Sequence, residues 1–242
     1  MAIILNIETS TPVCSVALAE NNTILATRES SEEKSHAGNL AVFIEEILNE
    51  KKISMKDLDA IAVGKGPGSY TGLRIGVATA KGLAYGAKKP LIAVSTLETM
   101  VRFALYRIEK DNLPVTCNKN TILCPMVDAR RMEVYMALFD ATVARIEIDK
   151  AVVIHSDTFA SVPASQSIVF FGSGALKCRD LFTRKNTSWI DGIYPSASAM
   201  AVKSYQFFQE GRFEDIAYFE PYYLKDFVTT TSRKNPLLRS LK

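Results

Sequence analysis

Seven of the twelve glycines in this 242-residue chain fall between Gly64 and Gly86, and that clustering limits the local fold more than any other feature. An apolar run, Leu58 to Val63 (LDAIAV), reads as a buried strand and leads into Gly66-Pro67-Gly68-Ser69. Glycine reaches φ > 0 and proline fixes its own φ, so the chain turns sharply there. Ser69 or Thr71 then offers a side-chain cap to a helix over about Gly72 to Ala87. Free N–H groups at such a helix start attract anions, which suggests a phosphate loop. The spacing fits neither common form. A P-loop needs Gly-x-x-x-x-Gly-Lys-Ser/Thr, and no lysine follows Gly72; GxGxxG fails because Thr71 stands where its third glycine belongs.

The helix carries two rows of small residues at a spacing of four: Gly72, Gly76, Ala80, Ala84, and Arg74, Ala78, Gly82, Gly86. Each interior glycine costs about 1 kcal/mol of helix propensity relative to alanine. Small residues in a stripe repay this by letting another element approach the backbone closely. Packing on the protein's own sheet accounts for one row, and the second suggests a partner surface. The expectation assigns Gly72, Gly76, Ala80 and Ala84, with Arg74, to the partner.

Around this unit the pattern is α/β. Ile3, Leu5 and Ile7 share a face, and Val13 to Ala19 and Thr23 to Thr27 follow after turn-forming segments, as in an antiparallel meander. Leu40, Phe43, Ile44, Ile47 and Leu48 keep helical spacing within His36 to Lys51. Leu91 to Val94 gives one more strand, and Ser95 with Glu98 forms a capping box for a helix to about Leu105. After a polar stretch from Glu109 to Asn120, strands are expected at Ile122 to Asp128, Glu133 to Phe139 and Arg145 to Ile154. A short helix near Asp157, a strand at Ser167 to Phe171, a helix after GSGA to about Thr183 and a last helix over Ala197 to Gln209 complete the reading. The element order βββαβαβα is thus used twice, as a duplicated fold would leave it.

Composition narrows the functional classes. Hydrophobic residues at 48% suffice for a core, and no apolar run nears the eighteen or so residues of a membrane helix. The amino terminus has no basic region before its apolar residues and does not read as a signal peptide. Cys14, Cys117, Cys124 and Cys178 form no CxxC pair and read as reduced thiols, so a cytoplasmic protein is expected. His36 and His155 are the only histidines, and neither lies near a cysteine, so a tetrahedral zinc site is not expected. The net charge of +3 is uneven: Lys225 to Lys242 alone carries +4. Such a tail is either a solvated terminus or a phosphate contact.

The segments ILNIETSTPVCSVAL, SHAGNLAVFIEEIL, LDAIAVGKGPGSYTGLRIGVATAKGLAYG and VDARRMEVYMALF resemble the TsaB (YeaZ) family of glycoprotease-like proteins, in that family's order. The match is convincing to about Phe139, with GSGA and PYYLK as later echoes. The resemblance implies an actin-like ATPase fold (ASKHA, ribonuclease H-like), with domains at 1–106 and 107–220 and a basic tail at 221–242 that could pack back on the first. It implies a part in threonylcarbamoyladenosine formation at position 37 of tRNAs reading ANN codons. In that system a TsaB protein docks the catalytic subunit TsaD, the ATPase TsaE joins them, and tRNA is the substrate. The docking surface, used also for a homodimer, would be the two helices of the first domain, so His36, Leu40, Phe43 and Ile47 join the partner set.

Catalysis by the chain itself finds little support in its residues. Actin-like ATPases carry Asp-x-Gly-x-Thr at the first hairpin, and this chain has Glu8-Thr9-Ser10-Thr11-Pro12. Glu8 could still hold a metal-bound water, and Gly172-Ser173-Gly174-Ala175 resembles an adenosine-side turn. Gly172 and Gly174 are therefore nucleotide candidates beside the plainer reading of a strand–helix turn. The HxxxH metal pair of TsaD is reduced to His36 followed by Leu40. Asp128-Ala129-Arg130-Arg131 with Glu133 is a polar cluster without a nucleophile–base pair, and strand-end salt bridging is expected of it. The expectation is a scaffold that binds no cofactor of its own, with ATP and Mg used by the complex. A small-molecule kinase or ATPase of the same fold, or a metallopeptidase, are the alternatives.

Overall fold

The structure is a computed structural model and describes residues 1–31 and 36–225. β1 (Ile3–Glu8), β2 (Cys14–Glu20) and β3 (Thr23–Ser30) form the expected meander. α1 (His36–Lys51), β4 (Ala60–Gly66), α2 (Tyr70–Ala87), β5 (Leu91–Ser95) and α3 (Thr96–Lys110) follow. The first sheet has the order β3-β2-β1-β4-β5, with β1 antiparallel to β2 and parallel to β4. β1, β4 and β5 are covered on both faces, which is why they read as nearly unbroken apolar runs. On one face Leu5, Ile7, Ile61 and Val63 meet Leu40, Ile44 and Ile47 of α1 and Val77, Ala80 and Ala84 of α2.

The second sheet contains β6 (Thr121–Asp128), β7 (Glu133–Asp140), β8 (Arg145–Val153), β9 (Ser167–Phe171) and β10 (Thr187–Ile190). Its order is β10-β9-β6-β7-β8, with β6 antiparallel to β7 and parallel to β9. Read from β8, this repeats the first sheet strand for strand. The duplication seen in element order is therefore a duplication of topology.

Several elements depart from expectation. α3 continues to Lys110, because RIEK is a good helical run and Arg107 pairs with Asp111 one turn on. Its Leu97, Met100, Val101 and Ala104 pack with Leu123, Phe139 and Phe171 of the second sheet, so a boundary at 106 falls within this helix. No helix forms near Asp157. The Thr158 hydroxyl accepts from the His155 N–H at 2.8 Å, and such local bonds favour the successive turns found there. The helix after Gly172, α4 (Ser173–Leu176), lasts one turn and gives way to a 3₁₀ turn at Arg179–Leu181. The chain bends there because Cys178 is drawn into the core and Phe182 stacks on Phe170 and Trp189, at 5.2 and 5.9 Å. β10 was not expected, since only four residues (TSWI) follow a polar stretch.

α5 (Ala201–Gln209) follows a 3₁₀ turn at Ala197–Met200. Although it lies within 107–220, this segment covers the outer face of the first sheet. There Ala197 and Met200 are buried with Ile4, Ala17, Ala60, Ala62, Ile92 and Val94. Beyond it, residues 212–225 return along α2. Lys81 donates to the carbonyls of Ala217 and Phe219, and the Tyr222 N–H to the Lys65 carbonyl at 2.7 Å. The rest of the basic tail lies outside the described residues. No helix among the described residues is long and apolar enough to cross a membrane.

Candidate functional site

The glycine-rich unit grips the turn that leaves β1. A β-carbon at Gly64 would come within 3.0 Å of the Glu8 carboxylate, at Gly68 of Ser10, and at Gly72 and Gly76 of Thr9. Four glycines spaced by four residues thus let β4, the turn and α2 close around Glu8, Thr9 and Ser10. The Thr9 hydroxyl donates to the Gly72 carbonyl at 2.8 Å, and the Ser69 N–H to the Ser10 carbonyl at 2.7 Å. Ser69 is the N-cap of α2, accepting from the Gly72 N–H at 3.3 Å. Gly66 supplies the turn with φ +106°, followed by a cis peptide to Pro67.

This corrects the partner assignment. Gly72, Gly76, Ala80 and Ala84 are buried against the protein's own first sheet and β1 turn, and are not available to another chain. Leu40 and Ile47 of α1 are likewise core residues, and Phe43 is half-buried against the same core. The His36 side chain is not among those described. The exposed row on α2 is Arg74, Ala78, Gly82 and Gly86, and among the described residues nothing beyond the adjoining helix backbone lies within 4 Å of where a β-carbon would sit at Gly82 or Gly86. Exposed Tyr85 and, on α1, Val42 accompany it.

Between the two sheets lies a cleft of about 750 Å³. Its first-sheet wall includes Ser10, Thr11, Ser69 and Tyr70; its second-sheet wall includes Asp128, Arg130, Arg131 and Ser173. Tyr222, Tyr223 and Lys225 of the returning segment close one side, with the Tyr223 ring 4.9 Å from that of Tyr70. Asp128 pairs with Lys177 and Glu133 with Lys225, the salt bridging expected of this cluster. Arg130 and Arg131 form no ion pair among the described residues. Both hold left-handed backbone, φ +71° and +51°, which costs a non-glycine residue about 1 kcal/mol or more.

The nucleotide candidates do not meet in this cleft. Glu8 is fully buried behind the β1 turn and lines no part of it. Burial raises its carboxyl above the ordinary carboxylate value, partly offset by hydrogen bonds from Ser10 and Thr96. Gly172, with φ +99°, and Gly174 are glycines because β-carbons there would strike Met100 and the Met126 carbonyl, and Val134, respectively. Four of the backbone donors that could cradle a phosphate here are already used. Ser10 N–H serves Glu8, Ser69 N–H serves Ser10, Asp128 N–H serves Ser173, and Arg130 N–H serves Asp128. Glu8, Gly172 and Gly174 do not come together as a site for a nucleoside triphosphate with its metal. Sequence reading overlooked Thr11, Tyr70 and Tyr223. The PYYLK echo was the only trace of the last.

Two sheets of one repeated topology, joined by a helix across a cleft, make this an actin-like ATPase fold of the ribonuclease H-like class. YeaZ from Pseudomonas aeruginosa shares it, with a TM-score of 0.74 at 22% identity over 93% of this chain and 100% of that one. Residues 23–228 match the family model described as TsaD, tRNA N6-adenosine threonylcarbamoyltransferase. The chain is 33% identical to the tRNA threonylcarbamoyladenosine biosynthesis protein TsaB of Escherichia coli, over 93% of its own length and 95% of the relative's. The corresponding Bacillus subtilis protein is 35% identical over 136 residues. The chain belongs to the TsaB (YeaZ) family of threonylcarbamoyladenosine biosynthesis proteins.

Proposed function

We propose that this chain is a non-catalytic subunit in threonylcarbamoyladenosine formation at position 37 of ANN-decoding tRNAs, docking a TsaD catalytic subunit and, with it, TsaE. The family assignment supports the pathway. The docking role is carried by the exposed row Arg74, Ala78, Gly82 and Gly86, where none of the described residues packs over the two glycines. A helix bearing such a row admits another helix at short interaxial distance. The same face would serve a homodimer when TsaD is absent.

In a reconstitution with TsaD, TsaE and the threonylcarbamoyl-adenylate donor, leaving this protein out is expected to abolish product. Unchanged product would refute the role. Gly82→Leu and Ala78→Arg are expected to end co-elution with TsaD while the circular dichroism of the isolated chain stays the same. The kinase or ATPase reading predicts tight Mg-ATP binding by the isolated chain, and the sealed Glu8 and committed backbone donors weigh against it.

A further inference from the structure

The cleft adds side-chain donors to a wall in which the N–H groups of Ser10, Ser69, Asp128 and Arg130 are already committed. Arg130 and Arg131 stand adjacent at the tip of the β6–β7 hairpin, exposed, while the neighbouring carboxylates of Asp128 and Glu133 are each matched by a lysine. Lining the same cleft is Thr11, only 6% exposed, whose hydroxyl has no hydrogen-bond partner among the described residues. A buried hydroxyl without a partner is rare in a folded protein and marks a place where a bound group completes the bonding. Beside these donors lie the paired rings of Tyr70 and Tyr223, with the Arg74 guanidinium 5.5 Å from the centroid of Tyr70.

Two forked cations and a buried hydroxyl are suited to one phosphate group, and tyrosine faces to a base. We propose that the cleft binds a phosphate of an RNA strand, held by Arg130, Arg131 and the Thr11 hydroxyl, with a neighbouring base against Tyr70 and Tyr223. A diester needs no amide cradle or metal, which separates it from the nucleoside triphosphate for which Glu8, Gly172 and Gly174 do not form a site. The choice of RNA rests on the assignment to tRNA modification; of the docking row on α2 the site adjoins only Arg74, through Tyr70.

The test uses the purified full chain and a fluorescent anticodon stem-loop RNA, read by anisotropy across a salt series. The double variant Arg130→Gly, Arg131→Gly suits the left-handed backbone and so keeps the fold, which circular dichroism verifies. It is expected to bind about tenfold or more weakly, with the slope of log K against log salt shallower by about 0.7, for the one phosphate no longer neutralised. Thr11→Val, nearly equal in shape, is expected to weaken binding in the same direction. Absence of RNA binding, or equal affinity and slope in the double variant, overturns the proposal. Poly-glutamate binding as tightly as the RNA, or saturable Mg-ATP binding that the double variant loses, overturns RNA as the occupant. If the wild-type chain fails to co-elute with TsaD yet shows arginine-dependent RNA binding, the docking reading fails and this one stands.

Discussion

A methyl group added at residue 72 would press on the Thr9 carbonyl, whereas one added at residue 82 would meet none of the described residues. Gly72→Ala is therefore expected to destabilise the chain by about 1–3 kcal/mol through overpacking. Gly82→Ala, in an exposed helix interior, is expected to stabilise it by about 0.5–1 kcal/mol. Urea midpoints compare the two, and a Gly72→Ala protein as stable as wild type would refute the grip on the β1 turn. Glu8 gives a pH dependence. Because burial raises its carboxyl in the folded state, its favourable contribution is complete below the unfolded value and fades as pH rises through the folded one. Melting temperature of the wild type should thus fall behind that of Glu8→Gln progressively above about pH 4.5. Parallel curves would contradict this. The two glycine rows were legible in the sequence, but which one faces the core was not. That choice depends on Thr9, sixty-three residues from Gly72, whose backbone occupies the space beside it.

Helix and strand signals were read well where local chemistry decides. Ser95 accepts from the Glu98 N–H at 3.4 Å, as its capping box foretold, and also lies 3.3 Å from the Arg145 guanidinium of β8. Ser95→Ala is expected to cost about 1 kcal/mol, the usual loss for an N-cap. Equilibrium unfolding measures it, and no change would mean that water replaces the cap. Elements were misread where tertiary packing decides. The stretch after Gly172 has helical composition, yet Cys178 and Phe182 turn inward and end the helix after one turn. β10 exists because Thr187 to Ile190 find β9 beside them, a partner that no local pattern announces.

At the scale of the whole molecule, chain order and spatial order part company. The duplicated topology was visible as repeated element order, but the return of α5 to the first sheet was not, since its apolar face would suit either sheet. Ending the chain after Tyr194 removes Ala197, Met200 and α5, and is expected to expose the Ile4, Ala60, Ala62, Ile92 and Val94 face. The truncated protein should bind a hydrophobic dye and lose a single sharp urea transition; a sharp transition without dye binding would show that the first sheet stands alone. The same return has a temporal side. During synthesis at about 5–20 residues per second, roughly 5–20 s separate the emergence of β5 from that of the segment that shields it. For that interval a complete five-stranded mixed sheet waits with a greasy side bare on the ribosome's surface, and chaperone capture in the cell should concentrate on nascent chains of this length.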